Sequence, residues 1–116
     1  VSGAAAQIEA EAFFAVDLRV ARVVEATLNP RAHKPAYVLR LDLGHELGER
    51  ISSAQLTALY TPEQLVGRLV VVVLNLPPRR VAGVRSEVLV LAAVDPALGA
   101  VLLEPGREVA VGTRVG

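Results

Sequence analysis

Residues 69–74 read LVVVVL, six consecutive apolar residues with four valines in succession, and this run admits few fates. It falls far short of the roughly 18 residues needed to cross a bilayer. A short, unbroken, β-branched run of this kind reads as a core strand. Pro77 and Pro78 end it, since proline has no N–H to give to a ladder. Arg79, Arg80 and Arg85 follow with no acid between them, and a second apolar run, EVLVLAAV, begins at Glu87. Two buried strands therefore support a stiff, cationic loop over residues 77–86.

The rest of the chain supplies partners for those strands. VDLRVARVVEATL, from Val16, alternates through Leu18 and Val20 and then slips phase at Val23 and Val24, as a long strand with a bulge does. NPRAHKP at 29–35 is a turn. AYVLRLDLG at 36–44 alternates cleanly through Tyr37, Leu39, Leu41 and Leu43, and Gly44 ends it. A short strand is expected at 51–53. Thr61, Pro62 and Glu63 form an N-cap, a proline at the first helical position and an acid in the first turn, so a small helix follows and stops at Gly67. AVLLEP after Gly99 is a further strand. Residues 6–15, AQIEAEAFFA, are good helix formers anchored by Ile8, Phe13 and Phe14.

Several short strands joined by Gly and Pro turns point to a barrel or a sandwich. A single small helix between the third and fourth strands narrows this to an all-β, five-stranded OB-fold barrel. The chain is expected to be one domain, 1–116, with residues 1–15 as a helical extension.

Composition removes whole classes of function. There is no cysteine, hence no disulfide framework, thiol nucleophile or Cys-ligated zinc, and the expected location is the reducing cytoplasm. The N-terminal segment, with Gln7, Glu9 and Glu11, does not follow the pattern of a secretory signal, and no membrane insertion is expected. His33 and His45 lie in turns beside charged residues and read as solvated. Ser52 and Ser53 lack a nucleophile-elbow pattern, and no Gly-rich phosphate cradle is present. No catalytic residue, metal site or cofactor is expected, and the protein reads as a non-enzyme.

Twelve basic and twelve acidic residues cancel, so any electrostatic function must be local. Arg31, Lys34 and Arg40 form a second acid-free group. The loop at 77–86 has two readings. Its prolines and arginines are gatekeepers against edge pairing, or they are a preordered rim presenting guanidinium forks to phosphate, carboxylate or peptide carbonyls. Gly83 permits a close turn, and Ser86 and Glu87 offer polar contacts at the entry to the next strand. The only aromatic residues are Phe13, Phe14, Tyr37 and Tyr60, too few for a base-stacking surface. Extended polypeptide, with its main chain satisfied by the arginines and by Ser52, Ser53 and Gln55, is the alternative ligand.

In order and spacing, VDLRVARVVEATLNPRAHKPAYVLRLDLG, SSAQLTALYTPEQLVGR and VVVVLNLPPRRVAGVRSEVLVLA resemble the tRNA-binding-domain proteins of the CsaA type over about residues 13–116. That resemblance implies an OB-fold homodimer, an export-related chaperone of unfolded or precursor polypeptides associated with the Sec export machinery, and an ancestral tRNA-binding surface. It places ligand-facing elements on Lys34, Pro35 and Tyr37, on Ser52, Ser53 and Gln55, and on Asn75, Pro78, Arg79, Arg80, Arg85, Ser86 and Glu87. Dimer contacts fall near the N-terminal helix and the C-terminal strands. Val88 stands where the wider family commonly has glycine, a departure that weighs more against tRNA than against peptide.

Overall fold

The computed structural model describes residues 3–116. The chain opens with a short helix, α1 (Ala10–Phe14), which lacks a side-chain cap and buries none of its residues. It is shorter than the expected 6–15 because an uncapped, unpacked helix has nothing to offset the cost of nucleation.

β1 (Leu18–Leu28) is the spine of the sheet. Its first half pairs antiparallel with β4 (Leu69–Val73), from Leu18 opposite Val73 to Arg22 opposite Leu69. Its second half pairs with β2 (Tyr37–Asp42), where the register shifts between Val23 and Glu25. That is the bulge read from the phase slip, and it lets one strand bend between two neighbours. β3 (Glu49–Ala54) flanks β2. The order β3-β2-β1-β4-β7, with β7 (Leu89–Val90) at the far side, curls into a nearly closed five-stranded antiparallel barrel, as expected.

Each strand's burial follows its sequence pattern. Tyr37, Leu39 and Leu41 are buried while Val38, Arg40 and Asp42 are only half-buried, the period-two signature of a strand with one face in the core. All five residues of β4 are buried, as its unbroken apolar run demands. The core gathers Leu39, Leu41, Leu43, Val23, Val70, Val72 and Val88, with Leu65 of α2 (Pro62–Leu65) filling the barrel beside them. α2 carries a full capping box: Gln64 N donates to the Thr61 side chain, and the Gln64 side chain accepts from Thr61 N. Gly67, at φ +92°, turns the chain so that its N–H donates to Val23 O at the bulge.

Three further features differ from the sequence expectation. Residues 77–86 are not a loop but mostly a β-hairpin, β5 (Arg79–Val81) with β6 (Val84–Ser86). The strand expected over 87–94 changes partner midway: Leu91 N donates to Val71 O on β4, whereas Leu91 O accepts from Leu103 N. Beyond that switch, β8 (Ala92–Asp95) pairs with β9 (Gly99–Leu102) as a separate ribbon. Finally, β10 (Arg114–Val115) adds to the start of β1, a pairing too short to leave a pattern in sequence. Among the described residues no helix is long and apolar enough to cross a membrane.

A cationic hairpin over an apolar cleft

β5 and β6 are joined through Ala82 and Gly83, which have φ of +47° and +85°. Two successive left-handed residues make the primed turn whose twist suits a tight hairpin. Ala82 is the one non-glycine residue with positive φ among those described, a conformation that costs an L-residue roughly 1–2 kcal/mol. Contacts from the 29–36 turn hold this tip. Asn29 Nδ2 donates to Ala82 O at 3.4 Å, and Asn29 Oδ1 accepts from Arg31 N at 3.0 Å. The Arg31 guanidinium lies against Gly83, so closely that a Cβ there would sit 2.4 Å from Nη1.

The register places Arg79 opposite Ser86 and Arg80 opposite Arg85. Side chains alternate across a ribbon. Arg79, Val81 and Ser86 therefore face the barrel and Arg80 and Arg85 face away. Between hairpin and barrel lies a cleft of about 280 Å³ lined by Leu76, Pro77, Val88 and Leu89 as well as by Ser53, Gln55 and Glu87. It opens past Ser53 and Gln55 into a broader apolar groove of about 650 Å³, walled by Leu56, Leu91, Val94 and Ala100 with Lys34 and Pro35 at its edge. Gln55 is exposed and also borders a third hollow between the 32–36 turn and the hairpin tip.

Charge is distributed unequally over this surface. Arg19, Arg22, Arg40, Arg68 and Arg114 all pair with carboxylates. Glu49, and after it Glu25, raises the Arg40 pKa by hydrogen-bonding the guanidinium. Arg31, Lys34, Arg79, Arg80 and Arg85 have no carboxylate within ion-pair distance among the described residues. Arg80 Nη1 donates to Gly83 O at 3.2 Å, its one side-chain bond among the described residues.

Of the residues singled out in the sequence, Ser53, Gln55, Arg79, Ser86 and Glu87 meet in the cleft, and Lys34 and Pro35 join them along the groove. Arg80 and Arg85 lie on the hairpin's other face, and Pro78 is exposed without lining either cavity. Tyr37 is buried and its hydroxyl donates to Tyr60 O at 2.7 Å, so it serves the core. Asn75 is occupied with the N-terminal segment: Oδ1 accepts from Asp17 N and Nδ2 donates to Ala15 O. Ser52 is buried beneath the seam, donating to Val88 O at 2.9 Å.

Sequence reasoning expects apolar pockets beside the hairpin arginines but names neither Arg31 nor the residues of the apolar walls. Leu89 carries a usable signal, because in EVLVLAAV it stands out of phase with buried Val88 and leaves a large apolar side chain half exposed. Arg31 carries none, since its contact with Gly83 joins the turn to a hairpin far along the chain.

Residues 18–114 match the model of the tRNA binding domain family. The solved chaperone CsaA of Bacillus anthracis is similar at 46% identity with a TM-score of 0.90, covering 96% of this chain and all of that one. The CsaA chaperone of Picrophilus torridus has the same TM-score at 34% identity, covering 95% of this chain and all of its own. The methionine–tRNA ligase of Pyrococcus furiosus is 42% identical over 105 residues, 90% of this chain but 14% of the ligase. The chain thus spans about a seventh of that curated relative's length.

Proposed function

The chain belongs to the tRNA binding domain family, and from that premise we propose that it is an ATP-independent chaperone that holds extended, non-native polypeptide. Its clients include precursors destined for export, and it works in the cytoplasm as a homodimer without catalysing a reaction. The observation that carries this reading is the cleft itself: an apolar trough lined by the exposed Gln55 and by Arg79, whose guanidinium has no ion-pair partner among the described residues. Apolar walls take side chains, while guanidinium and amide groups satisfy the main-chain carbonyls that an unfolded segment exposes. Phe13, Phe14, Tyr37 and Tyr60 all lie outside the cleft and groove, so bases would find no ring to stack on. The homodimer reading draws support from Ile8, Phe13 and Phe14, large apolar side chains left exposed in and around α1.

The test is suppression of client aggregation at equal dimer and client concentrations, without nucleotide. Unchanged aggregation across several clients defeats the proposal.

One observation favours tRNA as a second ligand: Arg80 and Arg85 turn two uncompensated guanidiniums away from the cleft, onto an open face. If Arg80 and Arg85 of each protomer grip phosphates, about four per dimer, affinity falls about a hundredfold between roughly 50 and 200 mM salt. Competition between labelled tRNA and an unfolded polypeptide separates the readings, since mutual displacement requires a shared surface.

A further inference from the structure

We infer that Ser86 and Glu87 are positioning residues: they latch the foot of the cationic hairpin to β3, and so set its pose and the width of the cleft, rather than gripping ligand. The inference deepens the polypeptide-binding reading and, for its consequence on ligand, rests on it.

The outer edge of β3 presents two backbone donors, Ile51 N and Ser53 N, that a regular neighbouring strand would meet with carbonyls. Here side chains supply the acceptors. Glu87 Oε1 accepts from Ile51 N at 2.9 Å, and Ser86 Oγ accepts from Ser53 N at 3.0 Å. A backbone rung, Glu87 N to Ile51 O at 2.8 Å, lies between them. Ser52 Oγ reaches Val88 O from the other side at 2.9 Å.

Side-chain acceptors in place of carbonyls have a geometric consequence. A full ladder would draw β6 to the ordinary strand spacing of about 4.8 Å and close the space in front of β3. Beyond the Glu87 rung, acceptors carried on side chains satisfy the edge without a full ladder between β6 and β3. The space so kept open is the cleft, with Ser53 and Gln55 on one wall and Arg79 and Val81 on the other. Asn29 and Arg31 restrain the tip, so the ribbon is fixed at both ends. Glu87 thus borders the cleft while one of its oxygens is committed to β3.

The experiment compares wild type, Glu87→Ala, Glu87→Gln and Ser86→Ala by amide hydrogen exchange, backbone relaxation and titration with an unfolded client peptide. A latch predicts that Glu87→Ala speeds exchange at Ile51, and Ser86→Ala at Ser53, by about tenfold, the weight of one lost hydrogen bond, while β1 and β4 amides keep their rates. It also predicts that hairpin amides lose order in Glu87→Ala and that client affinity falls with them. Glu87→Gln keeps an oxygen acceptor but no charge, and it retains wild-type exchange, hairpin order and affinity. The inference is overturned if exchange at Ile51 and Ser53 is unchanged in the alanine variants. It is equally overturned if Glu87→Gln loses affinity as fully as Glu87→Ala while the hairpin stays ordered, because the carboxylate would then be touching ligand. A wild-type protein that binds no client but shows the exchange pattern sinks the chaperone reading and supports the latch. Should Glu87→Ala fail to fold, Ser86→Ala against Ser86→Thr makes the same comparison at Ser53.

Discussion

On the barrel wall and on the hairpin alike, an arginine stands opposite another charged residue, and the two pairings have opposite sign. On the wall Arg40 of β2 faces Glu25 of β1 and also hydrogen-bonds Glu49 at the start of β3. On the hairpin Arg80 faces Arg85, and neither has an ion-pair partner among the described residues. Unlike charges opposite each other support a sheet, and like charges oppose it. The wall pairs its charges within the fold. The hairpin bears a like-charge pairing open to solvent, and a ligand that is anionic or rich in carbonyls, as the proposed function requires, would relieve it.

The largest effect is expected where that repulsion is removed along with the ligand's partners. Arg79→Ala, Arg80→Ala and Arg85→Ala together should weaken client or tRNA binding by well over tenfold, a loss of more than about 1.4 kcal/mol, with no fall in melting temperature. Titration beside calorimetry decides it, and intact binding would make the hairpin a mere edge guard. Converting the hairpin into a copy of the wall sharpens the contrast: Arg85→Glu should raise stability by about 0.2–1 kcal/mol while lowering affinity, as denaturant melts and the same titration would report. The reverse change, Arg40→Ala, removes ion pairs that are open to solvent and so screened. It should leave the melting temperature almost where it was and binding at the wild-type level.

The smallest effect concerns acid. Asp95 Oδ1 accepts from Leu98 N and Ala97 N at the β8–β9 turn, each at 2.8 Å, and these bonds hold its pKa below the ordinary 3.8. A carboxylate with a lowered folded pKa contributes stability above its unfolded pKa and loses it as pH falls through the folded one. The 95–99 turn should therefore loosen only below about pH 4, visible as faster exchange at Ala97 and Leu98, and Asp95→Asn should flatten that dependence.

Much of the fold is legible in the sequence because its causes are local. The alternation of Tyr37, Leu39 and Leu41, the phase slip at Val23 and Val24, and the Thr61-Pro62 cap each depend on residues within a few positions of one another. The hairpin is not legible in the same way, because Ala82 does not advertise a left-handed turn as an Asn-Gly or Gly-Gly pair does. Ser86 and Glu87 look available to ligand because their partners on β3 lie 33 and 36 residues away. Asn75 misleads similarly, its bonds reaching 58 and 60 residues back to the N-terminal segment.

Local sterics and the period of hydrophobicity suffice to say which segments are strands and which of their faces are apolar. The order of residues also places six cations in two acid-free groups, Arg31, Lys34 and Arg40 in one and Arg79, Arg80 and Arg85 in the other. It takes the folded chain to set Arg31 against the hairpin tip, to send Arg40 away to Glu25 and Glu49, to place Arg79 on one face of the hairpin and Arg80 and Arg85 on the other, and to turn Ser86 and Glu87 toward β3. Those outcomes depend on contacts between residues far apart in the chain, and hydrogen bonds and ion pairs act over a few ångströms of space whatever the distance along the sequence.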